Sequence, residues 1–125
     1  MSKTITINGH PFTPAIPLDE AKPPKEAGVY IYLIRTCENG GRLTIRYIGS
    51  SNNLRKRVNY QHEAAQKIFN NEIQRDPEKL YVSWHGIDDK SPKEAITAAQ
   101  NLEQELIKNY VGKVLNVHFN EKRED

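Results

Sequence analysis

The chain is poor in the residues that would place it among stapled or membrane-bound proteins. Its 125 residues contain one cysteine, Cys37, so no internal disulfide can form. A reducing, cytoplasmic setting is the expectation. No apolar run approaches the roughly 20 residues that a helical membrane span needs. The N-terminus lacks the charged-then-apolar pattern of a secretion signal. There is no internal repeat and no low-complexity tract. His10, His62, His85 and His118 show no metal-ligand spacing, which argues against a zinc site. Net charge is also scarce, at +2.

What is present is a chain of single-domain length with 37% hydrophobic and 27% charged residues, the balance of a globular domain. Its charge is uneven. Residues 28–70 carry seven Lys/Arg and two Glu, a net +5, whereas residues 71–125 carry eight basic and eleven acidic residues, a net −3. A basic half suits an anionic polymer, although a solvated surface gives the same asymmetry.

Residues 1–27 read as an extended Pro-rich arm. A short strand at residues 4–7 and an Asn8-Gly9 turn precede Pro11, Pro14, Pro17, Pro23 and Pro24, which forbid regular structure there. Residues 28–35 (GVYIYLIR) and 42–48 (RLTIRYI) are rich in β-branched and aromatic residues and flank a Glu38–Gly41 turn, so they predict a hairpin. Gly49 to Asn52 breaks the second strand, and Asn52 or Asn53 is a plausible N-cap. From Leu54 the apolar period becomes helical: Leu54, Val58, Ala65, Ile68 and Phe69 share a stripe, with Pro77 beyond its end. Residues 80–85 (LYVSWH) alternate as a third strand, on which Trp84 reads as core. Asp88-Asp89 reads as a solvated turn. Ser91-Pro92-Lys93-Glu94 is a capping box with proline at the first helical position. The following helix buries Ala95, Ile96, Ala99, Leu102, Leu106, Ile107 and Tyr110, and Gly112 ends it. Residues 114–119 form a short last segment. The order is β-β-α-β-α. It predicts a three-stranded antiparallel sheet flanked by helices, an α/β sandwich over residues 28–119, with a charged tail at 120–125.

Glu103 stands out on the second helix. It lies about 80° around from Ala95, inside the apolar stripe, whereas Glu105 lies at about 280°. A carboxylate there needs a partner, either a metal ion or a buried arginine. Arg57 borders the stripe of the first helix and is the natural arginine. It can also stabilise the extra charge of a pentacovalent phosphate. Arg55 and Lys56 point outward, where they suit phosphate contacts. Tyr30 and Tyr47, on neighbouring strands, can approach across the hairpin, although tyrosines in strands are commonly packing residues. Cys37 has no nearby base motif to make it a nucleophile.

These residues occur in a recognisable pattern. Gly28-Val29-Tyr30 and Tyr47-Ile48-Gly49 resemble the paired motif of the GIY-YIG nuclease family, and the resemblance continues in order over residues 28–117. Ser50 and Asn53-Leu54 follow the second motif. Arg57 stands where the family's helix carries its arginine. Glu103, within residues 102–108, matches the metal-binding glutamate, and Leu115-Asn116-Val117 resembles the closing asparagine motif. Two departures are visible. The sixteen-residue spacer, residues 31–46, is longer than usual. The family's histidine or tyrosine four residues after the arginine is replaced by Gln61, with Tyr60 and His62 on either side. On a continuous helix His62 would lie roughly 140° from Arg57.

The resemblance implies an α/β sandwich of GIY-YIG type and a metal-dependent endonuclease that hydrolyses phosphodiester bonds in DNA with one Mg²⁺ or Mn²⁺. It implies Glu103 as metal ligand and Tyr30, Tyr47, Arg57, Asn116 and His62 as the remaining catalytic group. Arg42, Arg46, Ser50, Arg55, Lys56 and Lys67 become contacts to the nucleic acid. A homodimer or a partner protein would supply specificity. The rival readings are a non-cleaving DNA-binding module on the same scaffold, which Gln61 favours, and a protein-interaction domain with incidental matches.

Overall fold

The computed structural model describes residues 5–35, 42–59, 61–73, 75–76, 79–87, 91–110 and 114–118, with Arg42 and residues 114–118 described in the backbone only. The expected turn at 38–41, Cys37, Pro77, Asp88-Asp89, Gly112 and the tail at 120–125 lie outside the described residues. Four strands fall where the sequence indicates or close to it: β1 (Ile5–Ile7), β4 (Ala27–Arg35), β5 (Arg42–Ser51) and β6 (Leu80–Ile87). The fifth, β7 (Val114–His118), uses the last segment. The N-terminal region adds β2 (His10–Phe12) and β3 (Ile16–Pro17). The helices are α1 (Leu54–Arg57), α2 (Glu63–Asn71) and α3 (Pro92–Tyr110).

The expected three antiparallel strands form the centre of a five-stranded sheet in the order β3-β6-β4-β5-β7, and β1 and β2 make a separate hairpin. α3 and that hairpin cover one face of the sheet. Val29, Ile31, Leu33, Ile45 and Ile48 meet Ala99, Leu102 and Leu106 there, together with Ile5, Ile7 and Phe12. The other face carries Tyr30, Tyr32, Ile34 and Val82 against Leu54, Val58, Ala65 and Ile68. β4 is buried on both faces, as its unbroken apolar run requires.

Several expectations are corrected. The arm is part of the domain. Asn8 and Gly9 take positive φ angles of 52° and 82°, the conformation of a tight hairpin turn, and this brings Ile5, Ile7 and Phe12 into the core. Pro11 and Pro17 fit into strands because β2 and β3 are edge strands, where a missing N–H costs no ladder bond. Further along, the backbone carbonyls of Pro24 and Glu26 accept from the N–H groups of Arg55 and Leu54 at 3.2 and 2.9 Å, so the arm caps α1. Gly49 does not break β5, which runs on to Ser51. In α3, Ile107 is 39% exposed, and Ile96 and Tyr110 are half-buried, so the buried face is the narrower set Ala95, Ala99, Leu102 and Leu106.

The largest correction concerns the first helix, which is two helices. Asn53 caps α1 by accepting from the Lys56 N–H. Five residues later Val58 turns extended (φ −88°, ψ 93°). Asn59 then competes with the helix for its own backbone: Nδ2 donates to the Lys56 carbonyl at 2.9 Å, and Oδ1 accepts from the Gln61 N–H at 2.8 Å. His62 begins α2 as its N-cap. The apolar stripe survives the break because Leu54 and Val58 pack from one piece and Ala65 and Ile68 from the other.

β5 contains a bulge. Tyr32 faces Tyr47 and Leu33 faces Ile45, so Arg46 has no partner in β4. Leu43 and Ile45 point toward α3, and the extra residue turns Tyr47 to the opposite face, beside Tyr30 and Tyr32. At the far end of the strand pair, a Cβ on Gly28 would collide with the His85 carbonyl oxygen and lie 2.9 Å from Leu54 Cδ1. Gly28→Ala is therefore expected to cost about 1–3 kcal/mol, the range for overpacking a filled site. Urea denaturation of the variant, with a midpoint unchanged from the parent, would refute the close approach.

Candidate active site

Tyr30, Tyr32 and Tyr47 form one aromatic group on the α1/α2 face of the sheet, and His62 stands edge-on to all three. The His62 ring centroid lies 5.5 Å from Tyr30, 5.4 Å from Tyr32 and 5.4 Å from Tyr47, at interplanar angles of 71°, 89° and 72°. The Tyr30 and Tyr47 rings are 6.2 Å apart, so the two phenols do approach across the hairpin. They are staggered: Tyr30 lies opposite Gly49, and Tyr47 opposite Tyr32. The stagger explains the glycine. A Cβ at Gly49 would lie 2.5 Å from the Tyr30 hydroxyl and 2.9 Å from Tyr47 Cε2, so the Tyr30 ring crosses the strand where a side chain is missing.

His62 is brought in by the helix break. The angle of roughly 140° from Arg57 holds only for an unbroken helix. With α1 ended at Arg57, His62 is buried and its Nε2 lies 2.6 Å from the Tyr30 hydroxyl. Gln61, the residue at the expected spacing, is exposed. The tautomer follows from the cap. Nδ1 accepts from the Ala64 N–H at 3.0 Å, so it carries no proton. Neutral imidazole then has its hydrogen on Nε2, which donates to Tyr30. Burial, and then the Arg57 charge, lower the His62 pKa to about 4, which keeps it neutral at pH 7.

Arg57 is exposed, and its guanidinium lies near the Tyr30 hydroxyl, where it acts to lower the phenol's pKa. That contact is the first cause of its own raised pKa. It does not serve as the partner of Glu103, contrary to the simplest sequence reading. Glu103 is half-buried as its helical position predicts, and its Oε1 accepts from Ser50 Oγ at 2.5 Å. Ser50 and Gly49 are neighbours with opposite outlooks: Gly49 supports the Tyr30 ring on one face, and Ser50 holds Glu103 from α3 on the other. The Glu103 charge still reaches the Tyr30 phenol and adds to its raised pKa. Burial is the largest cause of that rise and brings Tyr30 to about 12, outweighing the lowering by Arg57. Tyr30 is therefore protonated at pH 7.

The basic residues separate into groups. Arg46 pairs with Glu72 at 2.7 Å, and Arg55 donates from Nε to the Pro23 carbonyl at 2.7 Å. Lys56 and Lys67 are exposed. Lys67 joins Arg46, Tyr47, Arg57 and His62 around a cavity of about 330 Å³ between β5 and α2. The Asn116 and Arg42 backbones belong to β7 and β5, and their side chains lie outside the described residues. The sequence reading missed Tyr32. Its two-residue spacing from Tyr30 on one strand was the available signal, since strand side chains alternate. Its hydroxyl is buried close to the Asn59 backbone and has no hydrogen-bond partner among the described residues. Burial raises its pKa further than that of Tyr30.

A pH dependence follows. Unfolded histidine binds a proton near pH 6.5, whereas His62 in the fold binds one only near pH 4. Between these values the unfolded state holds more protons, so stability falls as pH drops through the window. The urea midpoint of the parent is expected to decline from pH 7 to pH 4. His62→Asn keeps a cap acceptor without titrating, so its profile should be flatter. Equal slopes for the two chains would show that His62 is not the titrating group.

The family model for the GIY-YIG catalytic domain matches residues 28–117, which is most of the chain. Comparison with curated proteins and with solved structures found no match. The matched segment begins at the glycine that packs beneath His85 and includes both tyrosines, Arg57, His62 and Glu103. The chain belongs to the GIY-YIG nuclease family.

Proposed function

We propose that this chain is a metal-dependent endonuclease that hydrolyses phosphodiester bonds in DNA. The observation that carries the reading is the Tyr30 hydroxyl, which accepts from His62 Nε2–H at 2.6 Å and lies near the Arg57 guanidinium, which acts to lower the phenol's pKa. His62 donates to the oxygen, so the phenol's own hydrogen is left to point elsewhere. Such a group can orient an attacking water or a phosphate oxygen. With its pKa near 12, orientation is its resting role, and proton abstraction would require substrate-bound changes in its surroundings.

The remaining groups have compatible tasks. Arg57 presents further N–H donors from an exposed position and neutralises charge that builds on the phosphorus oxygens during in-line attack. Tyr47 packs beside Tyr30 and limits its freedom. His62 keeps the phenol in place from its own capped position. Asn116 follows from the family pattern. Lys56 and Lys67, with Arg42 and Arg55, are assigned to flanking phosphates, which they hold without reading sequence.

Glu103 fits a divalent cation. Ser50 engages Oε1 and leaves Oε2 available. No group of three or more His, Cys, Asp or Glu side chains assembles among the described residues. That donor set suits Mg²⁺ or Mn²⁺, which keeps water and phosphate as most of its ligands. The chemistry it supplies when bound is polarisation of the phosphate and stabilisation of the leaving oxygen.

The non-cleaving alternative drew its support from Gln61; the present reading assigns that role to His62, whose Nε2 lies 2.6 Å from the Tyr30 hydroxyl. Nicking of supercoiled plasmid with Mg²⁺ or Mn²⁺ tests the reading. The parent should nick, and Glu103→Gln should lose activity by a hundredfold or more, on the order of one essential electrostatic group. Tyr30→Phe and Gly49→Ala should also lose most activity, the second by displacing the phenol. DNA affinity in EDTA should survive all three changes. Binding without nicking by the parent would establish the non-cleaving module instead.

A further inference from the structure

The cavity between β5 and α2 adjoins the candidate active site and contains more than a phosphate site requires. Tyr47, Arg57 and His62 of the candidate active site line it. Arg46 at the β5 bulge and Glu72 at the end of α2 also line it and are joined by their ion pair. Its walls mix an aromatic ring and the apolar Ile68 and Ala64 with cations and two carboxylates, Glu63 and Glu72.

This composition argues for one class of occupant. A groove for the phosphate backbone gains from cations alone, and carboxylates in it would repel the strand. A nucleobase uses the mixture: an aromatic face for stacking, carboxylates to accept from exocyclic amino groups, and lysine or arginine for the phosphate attached to it. The volume of about 330 Å³ stands at the small end of ligand pockets. It has room for one nucleotide. Bases within a duplex offer only their edges, so a base can lie against Tyr47 only after leaving the stack.

We propose that this cavity is a subsite for one unpaired nucleotide next to the scissile phosphate, so that the preferred substrate is DNA with a bulged, flipped or single-stranded base at the cleavage position. Tyr47 is the stacking surface, Lys67 meets the nucleotide's phosphate, and the Arg46–Glu72 pair forms part of the wall. The bulge makes this possible, because it turns Tyr47 to this face and leaves Arg46, outside the β4 pairing, to reach α2. The proposal rests on the nuclease reading above and narrows it to a form of substrate.

The test uses the full chain in EDTA with three short duplexes that differ at one position: fully paired, carrying one unpaired 2-aminopurine, and carrying an unpaired abasic residue. The 2-aminopurine duplex should bind about tenfold tighter than the abasic one, the scale of a single base–aromatic stack. Its fluorescence should fall on binding. Ala64→Leu, which adds bulk to the cavity wall, should shrink that preference, with circular dichroism confirming the fold. Equal affinity for the base and the abasic residue, with unchanged fluorescence, overturns the proposal. If the parent then still nicks plasmid with Mg²⁺, the nuclease reading stands and only the subsite is lost. Failure to bind any of the duplexes or to nick plasmid ends both.

Discussion

Arg46 has no partner in β4, and that surplus residue turns the second half of β5 over relative to the first. Before it, Leu43 and Ile45 pack toward α3. After it, Tyr47 and Gly49 face the other way, one as a ring beside Tyr32 and the other as the gap that the Tyr30 ring crosses. Without the bulge, strand alternation would send Tyr47 into the α3 core and bring a different residue under Tyr30. The aromatic group, the glycine contact and the outward reach of Arg46 all depend on this single phase change.

The same strand end joins two layers that have no other reason to meet. Successive strand residues point to opposite faces, so Gly49 and Ser50 address Tyr30 and Glu103 respectively. Beyond Thr44, β5 has no paired strand on the β7 side among the described residues. Groups from α1 and α2 above the sheet and from α3 below it can approach one another around that edge. The carboxylate and the phenol are thus carried by separate cores, each well packed, and their relation is held by backbone geometry.

The polar side of the site is arranged by donors and acceptors with fixed roles. The Ala64 N–H at the start of α2 decides the His62 tautomer, the tautomer makes Nε2 a donor, and the donor engages Tyr30. Burial holds the phenol protonated and the imidazole neutral, so the resting site has its charge on Arg57 and Glu103. The helix break is what places His62 in this chain of contacts, and Asn59 makes the break by bonding to both sides of it.

Much of this was legible in the amino-acid order. The strand periods, the Ser91–Glu94 capping box ahead of α3 and the Asn8-Gly9 turn are local signals, and each produced the element expected of it. Glu103 was identifiable as unusual because helix geometry alone puts it beside apolar neighbours. The order of the two triplets, Arg57 and Glu103 was sufficient to indicate the family. Tertiary structure decided the rest. A continuous apolar stripe cannot report a break that preserves its contacts, so α1 and α2 read as one helix and His62 was turned away from Arg57. A bulge leaves the composition of its strand unchanged. The prolines of the first 27 residues argued against strands because a sequence does not state which strands lie at an edge. Partner choice, Ser50 for Glu103 and His62 for Tyr30, depends on which layers come together, and that is settled only when both faces of the sheet are packed.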